Sequence, residues 1–386
     1  MKAAIDRVLT DPVESGKIPG VVALVADGSG LVYQGAFGRR AIDRPEPMTL
    51  DSVFRIASMT KAITATAAMQ LVESGRIGLD QPIGELLPFT RDVQVLEGFD
   101  EADKPRLRAP ASQVTVRHLL THTSGYGYDI FNADLARYIA AAGLPSIVTC
   151  RHDSLRVPLL FDPGTRWEYG IGLDLVGRIV ETVSGQNLEA YFRQHILGPL
   201  GMADTSFRPS DAMGTRLVGT HARGPDGNPV PLAFEFLQDP EFLMGGGGLF
   251  STAADYMAFC RMLLGGGVLE GRQVLRPETV EQMSRNQIGA LEVPKVRSDN
   301  PQMVLETEMF PGVVKKWGLS FLINMDPWPG GRAAGSLSWA GVHNTFFWVD
   351  PASKIAAVLM MQLLPANDPA VVETLVGFEA AVYGAR

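Results

Sequence analysis

Strand-like runs stand at both ends of this chain and helix-like runs fill its middle. That arrangement, more than any single motif, limits the folds open to it. Near the N-terminus, "GVVALVADGSGLVYQGAFG" (residues 20–38) reads as a β-hairpin. Two β-rich runs flank Asp27-Gly28-Ser29-Gly30, which offers the positive-φ residues a tight turn needs. Near the C-terminus, "WGLSFLIN", "GSLSWAG", "NTFFWVDP" and "KIAAVLMMQ" are short β-rich runs parted by Pro, Gly and Asp. Between them, residues 76–240 read as mostly helix and loop. The simplest assembly is one antiparallel sheet built from both chain ends, flanked by helices, with a mainly helical lobe inserted. This is an α/β (α+β) fold class. We expect residues 1–75 and 241–386 to form the sheet domain, residues 76–240 the helical lobe, and the active site to lie in the cleft between them.

Individual helices follow from spacing and punctuation. Ile5, Val8, Leu9 and Val13 recur at helical intervals over residues 2–15, where Pro12 either kinks the helix or ends it early. A helix from Ser58 to Glu73 ends on Gly75. "TVRHLLTHTSG" predicts a short helix capped by Thr115 and terminated by Gly125. Further helices are expected over Gly172–Ser184, Ala253–Leu264, Pro277–Asn286 and Pro369–Tyr383.

Composition narrows the function. A net charge of −8 with no basic stripe argues against a nucleic-acid partner. Two cysteines, Cys150 and Cys260, are too few for a disulfide framework and read as buried apolar side chains. No apolar run reaches the roughly 18 residues of a membrane span. The N-terminus lacks the apolar core of a secretory signal, so a cytoplasmic location and no membrane partner are expected.

The chemistry centres on "RIASMTKAITATAAMQ", where Ser58 and Lys61 lie one helical turn apart. A chain of this length holds about one Ser-x-x-Lys by chance. Two local features go further. Ser58 stands where a helix begins, and free N–H groups there favour a developing oxyanion. The helix that follows is Ala- and Thr-rich with few charges, so it is expected to be buried on most sides and to carry Lys61 inward. A desolvated lysine beside a serine hydroxyl can serve as its base. Tyr169, in "PGTRWEYGIGLDLVG", is either a packed aromatic or a phenol that moves a proton near Ser58. Gly341, in "GSLSWAGVHNT", is either an ordinary strand bend or a place where substrate meets the backbone. In the second case an N–H there joins that of Ser58 as an oxyanion hole.

Six ordered blocks, "FRIASMTK", "TVRHLLTHTSG", "PGTRWEYG", "LGPLGMADTSF", "GGGGLFSTAADY" and "SWAGVHNTFFWVDP", give the chain a resemblance to a known family over most of its length. It resembles the serine β-lactamase and penicillin-binding-protein superfamily, most of all the class C-related carboxylesterases called family VIII esterases. The resemblance implies a β-lactamase/transpeptidase-like fold. It makes Ser58 the acylated nucleophile, Lys61 its hydrogen-bonded partner and Tyr169 the general base, with Ser58 and Val342 supplying the oxyanion-hole N–H groups. Whether lysine or tyrosine is the acting base is a property of the coupled pair. No cofactor and no metal are implied.

Departures from the family pattern bear on substrate. The usual Lys-Thr-Gly or His-Thr-Gly strand reads Trp339-Ala340-Gly341 here, without a cation for a substrate carboxylate. Ile171 stands where Tyr-x-Asn would place an amide. His343 is available to restore part of the lost contact, or is structural. Trp339, Ala340, Gly341, Ile171 and His343 are therefore expected to line the substrate site. The expected activity is that of a serine carboxylesterase on short, neutral acyl esters, with a small-molecule ester as partner. A weak β-lactamase or D-aminopeptidase, an acyltransferase and a non-catalytic scaffold stay open. Other motifs fail: no Gly-x-Ser-x-Gly occurs, His118 is followed by Leu119 rather than the Glu of a zinc motif, and the glycine run at 245–248 lacks a P-loop lysine and reads as a close-packed turn.

Overall fold

The computed structural model describes residues 1–234 and 239–384. Its centre is a seven-stranded sheet. The strands are β1 (Gly20–Asp27), β2 (Gly30–Gly38), β3 (Lys315–Trp317), β4 (Leu322–Asn324), β5 (Leu337–Gly341), β6 (Thr345–Asp350) and β7 (Ile355–Met360). Their order across the sheet is β3-β4-β5-β6-β7-β1-β2, with every neighbouring pair antiparallel. The N-terminal hairpin thus joins the C-terminal strands through β1 and β7, with Leu24 opposite Val358.

Strand periodicity sorts the side chains into two cores. Val21, Ala23 and Val25 of β1, Phe346 and Trp348 of β6, and Ile355, Ala357 and Leu359 of β7 point to one face. There they meet Ile5 and Leu9 of helix α1 (Lys2–Glu14) and Val371, Phe378 and Val382 of the C-terminal helix. Their alternate neighbours Val22, Leu24, Phe347, Val349, Val358 and Met360 join the larger core on the other face. Both faces being covered explains why the β7 run Ile355–Met360 is apolar without interruption.

Helix α2 (Thr60–Glu73) crosses that larger core, and all its residues from Thr60 to Met69 are buried. Its threonines make burial tolerable because each hydroxyl is satisfied. Thr66 donates to the Ala62 carbonyl at 2.9 Å, Thr64 to the Gly245 carbonyl at 2.6 Å, and the Thr60 hydroxyl accepts from the Leu249 N–H at 3.1 Å. Two of these bonds anchor the glycine run 245–248 against α2. That run is a close-packed loop: a Cβ on Gly245 would lie 2.8 Å from the Leu173 carbonyl, and one on Gly248 would lie 2.8 Å from the Phe207 ring.

Several boundaries differ from the sequence reading. Helix α1 runs through Pro12 to Glu14, because a proline near a helix C-terminus removes only one bond. The hairpin turn is closed by the Asp27 carboxylate, which accepts the Ser29 N–H and hydroxyl at 2.8 and 2.7 Å, while Gly30 alone takes positive φ. Helix α3 (Val116–Leu120) ends well before Gly125, since His122 turns left-handed at φ 56°. The helix begun at Pro277 ends at Met283. Helices α4 (Gly172–Ser184), α5 (Ala253–Leu264) and α6 (Pro369–Tyr383) have the expected bounds. Residues 76–240 also hold short strands the sequence reading did not give, Val95–Phe99 paired with Pro105–Arg108 and His221–Arg223 paired with Pro229–Pro231. Among the described residues no helix is long and apolar enough to cross a membrane.

Candidate active site

Ser58 lies just ahead of α2, in the 3₁₀ turn Ala57–Met59 rather than in the helix proper. Ala57 is held at φ 44°, a conformation that costs a non-glycine residue on the order of 1–3 kcal/mol and recurs at functional sites. The strain presents Ser58, half-buried, to a cleft of about 1170 Å³.

Behind the serine, Lys61 is fully buried. Its ammonium donates to Ser58 Oγ at 3.2 Å, Tyr128 Oη at 3.0 Å and the Gly246 carbonyl at 2.6 Å, so each of its N–H groups finds an acceptor. Tyr128 in turn donates to Asp174 Oδ2 at 3.3 Å, and Asp174 Oδ1 accepts the Gly246 N–H at 2.8 Å. Burial pushes the Asp174 carboxyl above the usual carboxylate range, against the opposing pull of the Lys61 charge and of its hydrogen bonds. Burial, then the charge of Asp174, also pushes the Tyr128 phenol far upward. Neither Tyr128 nor Asp174 was picked out by sequence reasoning.

Tyr169 is brought to the same place by a different contact. Lys61 Nζ sits 4.7 Å from the centre of its ring, and its oxygen accepts the Trp339 indole N–H at 3.2 Å. Trp339 therefore stands where a cation would stand in the family pattern and offers the phenol a neutral donor. His122 packs against Tyr169 at 4.7 Å between ring centres; burial, then the Lys61 charge, pulls its imidazole well below the ordinary range. His118 is spent elsewhere, capping α3 through the Thr115 N–H.

Trp339, Ala340, Gly341, Val342 and His343 all line the cleft with Ser58. Gly341 lines the cleft, and its missing side chain has a packing reason. A Cβ at that position would sit 2.4 Å from the Ile56 carbonyl and 2.4 Å from Thr345 Oγ1, so the space it leaves is taken by the chain itself. Thr345 Oγ1 also donates to the Ile56 carbonyl at 3.3 Å. These contacts clamp the turn carrying Ser58 onto β5 and β6, with Val342 lining the same cleft. Gly341→Ala is thus expected to destabilise the fold by roughly 1–3 kcal/mol through overpacking. It should also slow any acylation of Ser58, because the turn carrying Ser58 shifts against β5; a denaturation curve and a burst measurement on one preparation read both effects.

Two expected substrate contacts differ from the sequence reading. Ile171 does not line the cleft: it precedes α4 and turns its side chain into the main core, where it is 2% exposed. His343 reaches the cleft but cannot replace a lost cation. Burial, then the nearby Arg55 charge, pulls its pKa down to about 3, so it stays neutral, and neither ring nitrogen has a hydrogen-bond partner among the described residues. Arg332 is unavailable too, being tied to Glu379 through two hydrogen bonds of 2.8 and 2.6 Å, both side chains buried. Among the described residues no cluster of His, Cys, Asp or Glu is arranged to hold a metal ion.

The chain is similar to known proteins over nearly its whole length. The family model described as Beta-lactamase matches residues 5–382. The monacolin J acid methylbutanoyltransferase of Aspergillus terreus is 35% identical over 394 residues, covering 96% of this chain and 93% of that protein. The lovastatin esterase of Penicillium rubens is 29% identical over 395 residues, covering 98% of each. Among solved structures, unliganded simvastatin synthase (LovD) from Aspergillus terreus superposes with a TM-score of 0.87 at 31% identity, covering 99% of this chain and 98% of that one.

Proposed function

The chain belongs to the beta-lactamase family, with its β-lactamase/transpeptidase-like fold and its serine acyl-transferring chemistry, and on that footing we propose that it is an acyltransferase working through an acyl-enzyme on Ser58. In the first half-reaction Ser58 Oγ attacks the acyl carbon of an activated ester or thioester. The Lys61–Tyr169 pair takes the hydroxyl proton and returns it to the departing alcohol or thiol. The oxyanion meets the N–H groups of Ser58 and Val342. In the second, an acceptor hydroxyl attacks the acyl carbon, its proton passes to the same pair, and Ser58 leaves as the free alcohol. Water in place of the acceptor gives hydrolysis.

The observation that carries transfer over simple hydrolysis is the size and lining of the cleft. At about 1170 Å³ it exceeds the roughly 300–1,000 Å³ that holds a drug-sized ligand. A five-carbon acyl group needs roughly 150 Å³ if each carbon takes about the volume of a water. Ile130, Phe131, Phe242, Leu243, Met244 and Leu291 supply apolar wall for something much larger than that, and such a body also keeps water from the acyl-enzyme. The methylbutanoyltransferase relative supports the same reading. The carboxylesterase reading stays second, favoured by the lovastatin esterase relative.

A partition experiment decides between them. With a methylbutanoyl thioester as donor and monacolin J acid as acceptor, the new ester should exceed free methylbutanoate once acceptor is saturating. Free acid as the sole product would return the esterase to first place. Donor class is testable separately. Trp339-Ala340-Gly341 offers no cation, His343 is neutral and Arg332 is engaged. An acyl donor whose carboxylate needs a cation at that strand should therefore lose about 5- to 150-fold per missing hydrogen bond. kcat/KM for nitrophenyl butyrate should exceed that for nitrocefin by at least that factor; parity would show that an anion binder has been overlooked.

A further inference from the structure

Lys61 makes three hydrogen bonds, and Ser58 receives the longest of them. The other two go to the Tyr128 hydroxyl and the Gly246 carbonyl. These groups come from distant parts of the chain, yet both are fastened to one carboxylate. Asp174 Oδ2 accepts the Tyr128 proton, and Oδ1 accepts the Gly246 N–H. The result is a closed ring: lysine to phenol to carboxylate to peptide and back to lysine.

We propose that Asp174 is a positioning residue for acyl transfer, which fixes the Lys61 nitrogen relative to Ser58 Oγ by holding both of the lysine's other acceptors. This rests on the reading of Ser58 and Lys61 as the acylating pair. Asp174 touches neither of them directly. A hydroxyl has one proton and two acceptor sites, so a Tyr128 that gives its proton to Asp174 must present an acceptor to Lys61. Gly246 is shaped for the same purpose: a Cβ there would lie 2.5 Å from Asp174 Oδ2, so any other residue would push the carboxylate away. Asp174 is fully buried in the first turn of the 13-residue helix α4, where the helix dipole favours an anion. A buried carboxylate is costly without a counter-charge, and Lys61 is the cation whose field reaches it.

An apolar residue would pack at this point of α4 without that cost, so the carboxylate is best explained by its two bonds. Asparagine separates charge and polarity from shape. In Asp174→Asn the amide oxygen still accepts the Gly246 N–H, but the amide nitrogen faces a phenol oxygen that already accepts from Lys61. The phenol proton then has no acceptor at position 174, so the orientation that presents Tyr128 as an acceptor to Lys61 is no longer fixed and the lysine's second anchor is loosened. A misplacement of about 1 Å at a reacting group costs roughly 10²-fold.

The test measures the acylation burst with nitrophenyl butyrate and labelling of Ser58 by a fluorophosphonate. Asp174→Asn is expected to slow acylation about 100-fold with KM changed by less than about threefold. Tyr128→Phe keeps the Asp174–Gly246 bond and cuts only the phenol link. It should slow acylation about tenfold or more, and the double variant should be no slower than Asp174→Asn alone. Tyr128→Phe also serves if Asp174→Asn does not fold. Wild-type burst rates in folded Tyr128→Phe would overturn the inference, as would losses that multiply in the double variant or a loss confined to KM. Failure of the underlying reading looks different: Ser58→Ala would then still be labelled and still turn over.

Discussion

Ser58→Ala is expected to remove covalent labelling and to lower acyl transfer by about 10⁴-fold or more, while the protein stays folded. The size of the loss follows from the step that disappears. Without Oγ no acyl-enzyme forms, and what remains is binding plus the oxyanion donors acting on a direct attack. The fold is spared for a structural reason. The serine side chain is half-buried at the edge of the cleft, and its lysine partner keeps Tyr128 and Gly246 as acceptors. The turn is held by backbone and by Thr345 on the Ile56 carbonyl, neither of which involves Oγ. Mass spectrometry of the wild type after a fluorophosphonate or a nitrophenyl ester should place one adduct on the peptide containing Ser58. An adduct on another residue, or undiminished turnover in the variant, would remove Ser58 from the mechanism.

The parts of this architecture that a reader could take from the sequence are those written in local patterns. β-Rich runs such as "GVVALVAD" and "TFFWVD", bounded by Gly, Pro and Asp, specify strands, and burial on both faces makes β1, β6 and β7 near-continuously apolar. The Ala- and Thr-rich stretch after Ser58 signals a helix buried all round, and α2 is one. Ser58 and Lys61 are legible because three residues of spacing bring them together. Tyr128 and Asp174 are not, because the bonds that define them span 67 and 46 positions. Nothing local separates Tyr128 from Tyr126, two residues earlier. Asp174 did leave a signal: an acid inside the apolar run "GIGLDLVGRIV" must find a partner or be expelled. Ile171 misled for the opposite reason. A motif position fixes where a residue falls along the chain, but the helix that starts at the next residue, Gly172, decides which way its side chain turns, and here it turns into the core. The turn at Asp27 shows the same limit on a smaller scale, since a side-chain hydrogen bond took over a role the glycines were expected to fill.

Lys61→Ala and Tyr169→Phe are each expected to lower kcat by roughly 10²- to 10⁴-fold, the range for a positioned acid–base group. Their combination should be little worse than the poorer single variant. The proposed relay implies this dependence. Lys61 donates to Ser58 Oγ and sits against the face of the Tyr169 ring, so under that reading both groups serve the one proton that Ser58 must lose. When either is absent the relay is broken, and removing the second takes away nothing further. The two variants differ in stability, and that difference must be separated from catalysis. Truncating Lys61 strands the Asp174 carboxylate in the interior without its cation, which should cost about 3–5 kcal/mol. Lys61→Met keeps the volume of the stem and isolates the charge. Tyr169→Phe leaves the Trp339 indole N–H without its acceptor, worth about 1–3 kcal/mol. Burst kinetics on samples shown to be folded, at a temperature well below the transition of the least stable variant, give the four rates needed for the cycle. If the logarithms of the two losses simply add, Lys61 and Tyr169 serve different steps. Ser58 would then be activated by the lysine alone, leaving the phenol to the attack of the acceptor hydroxyl.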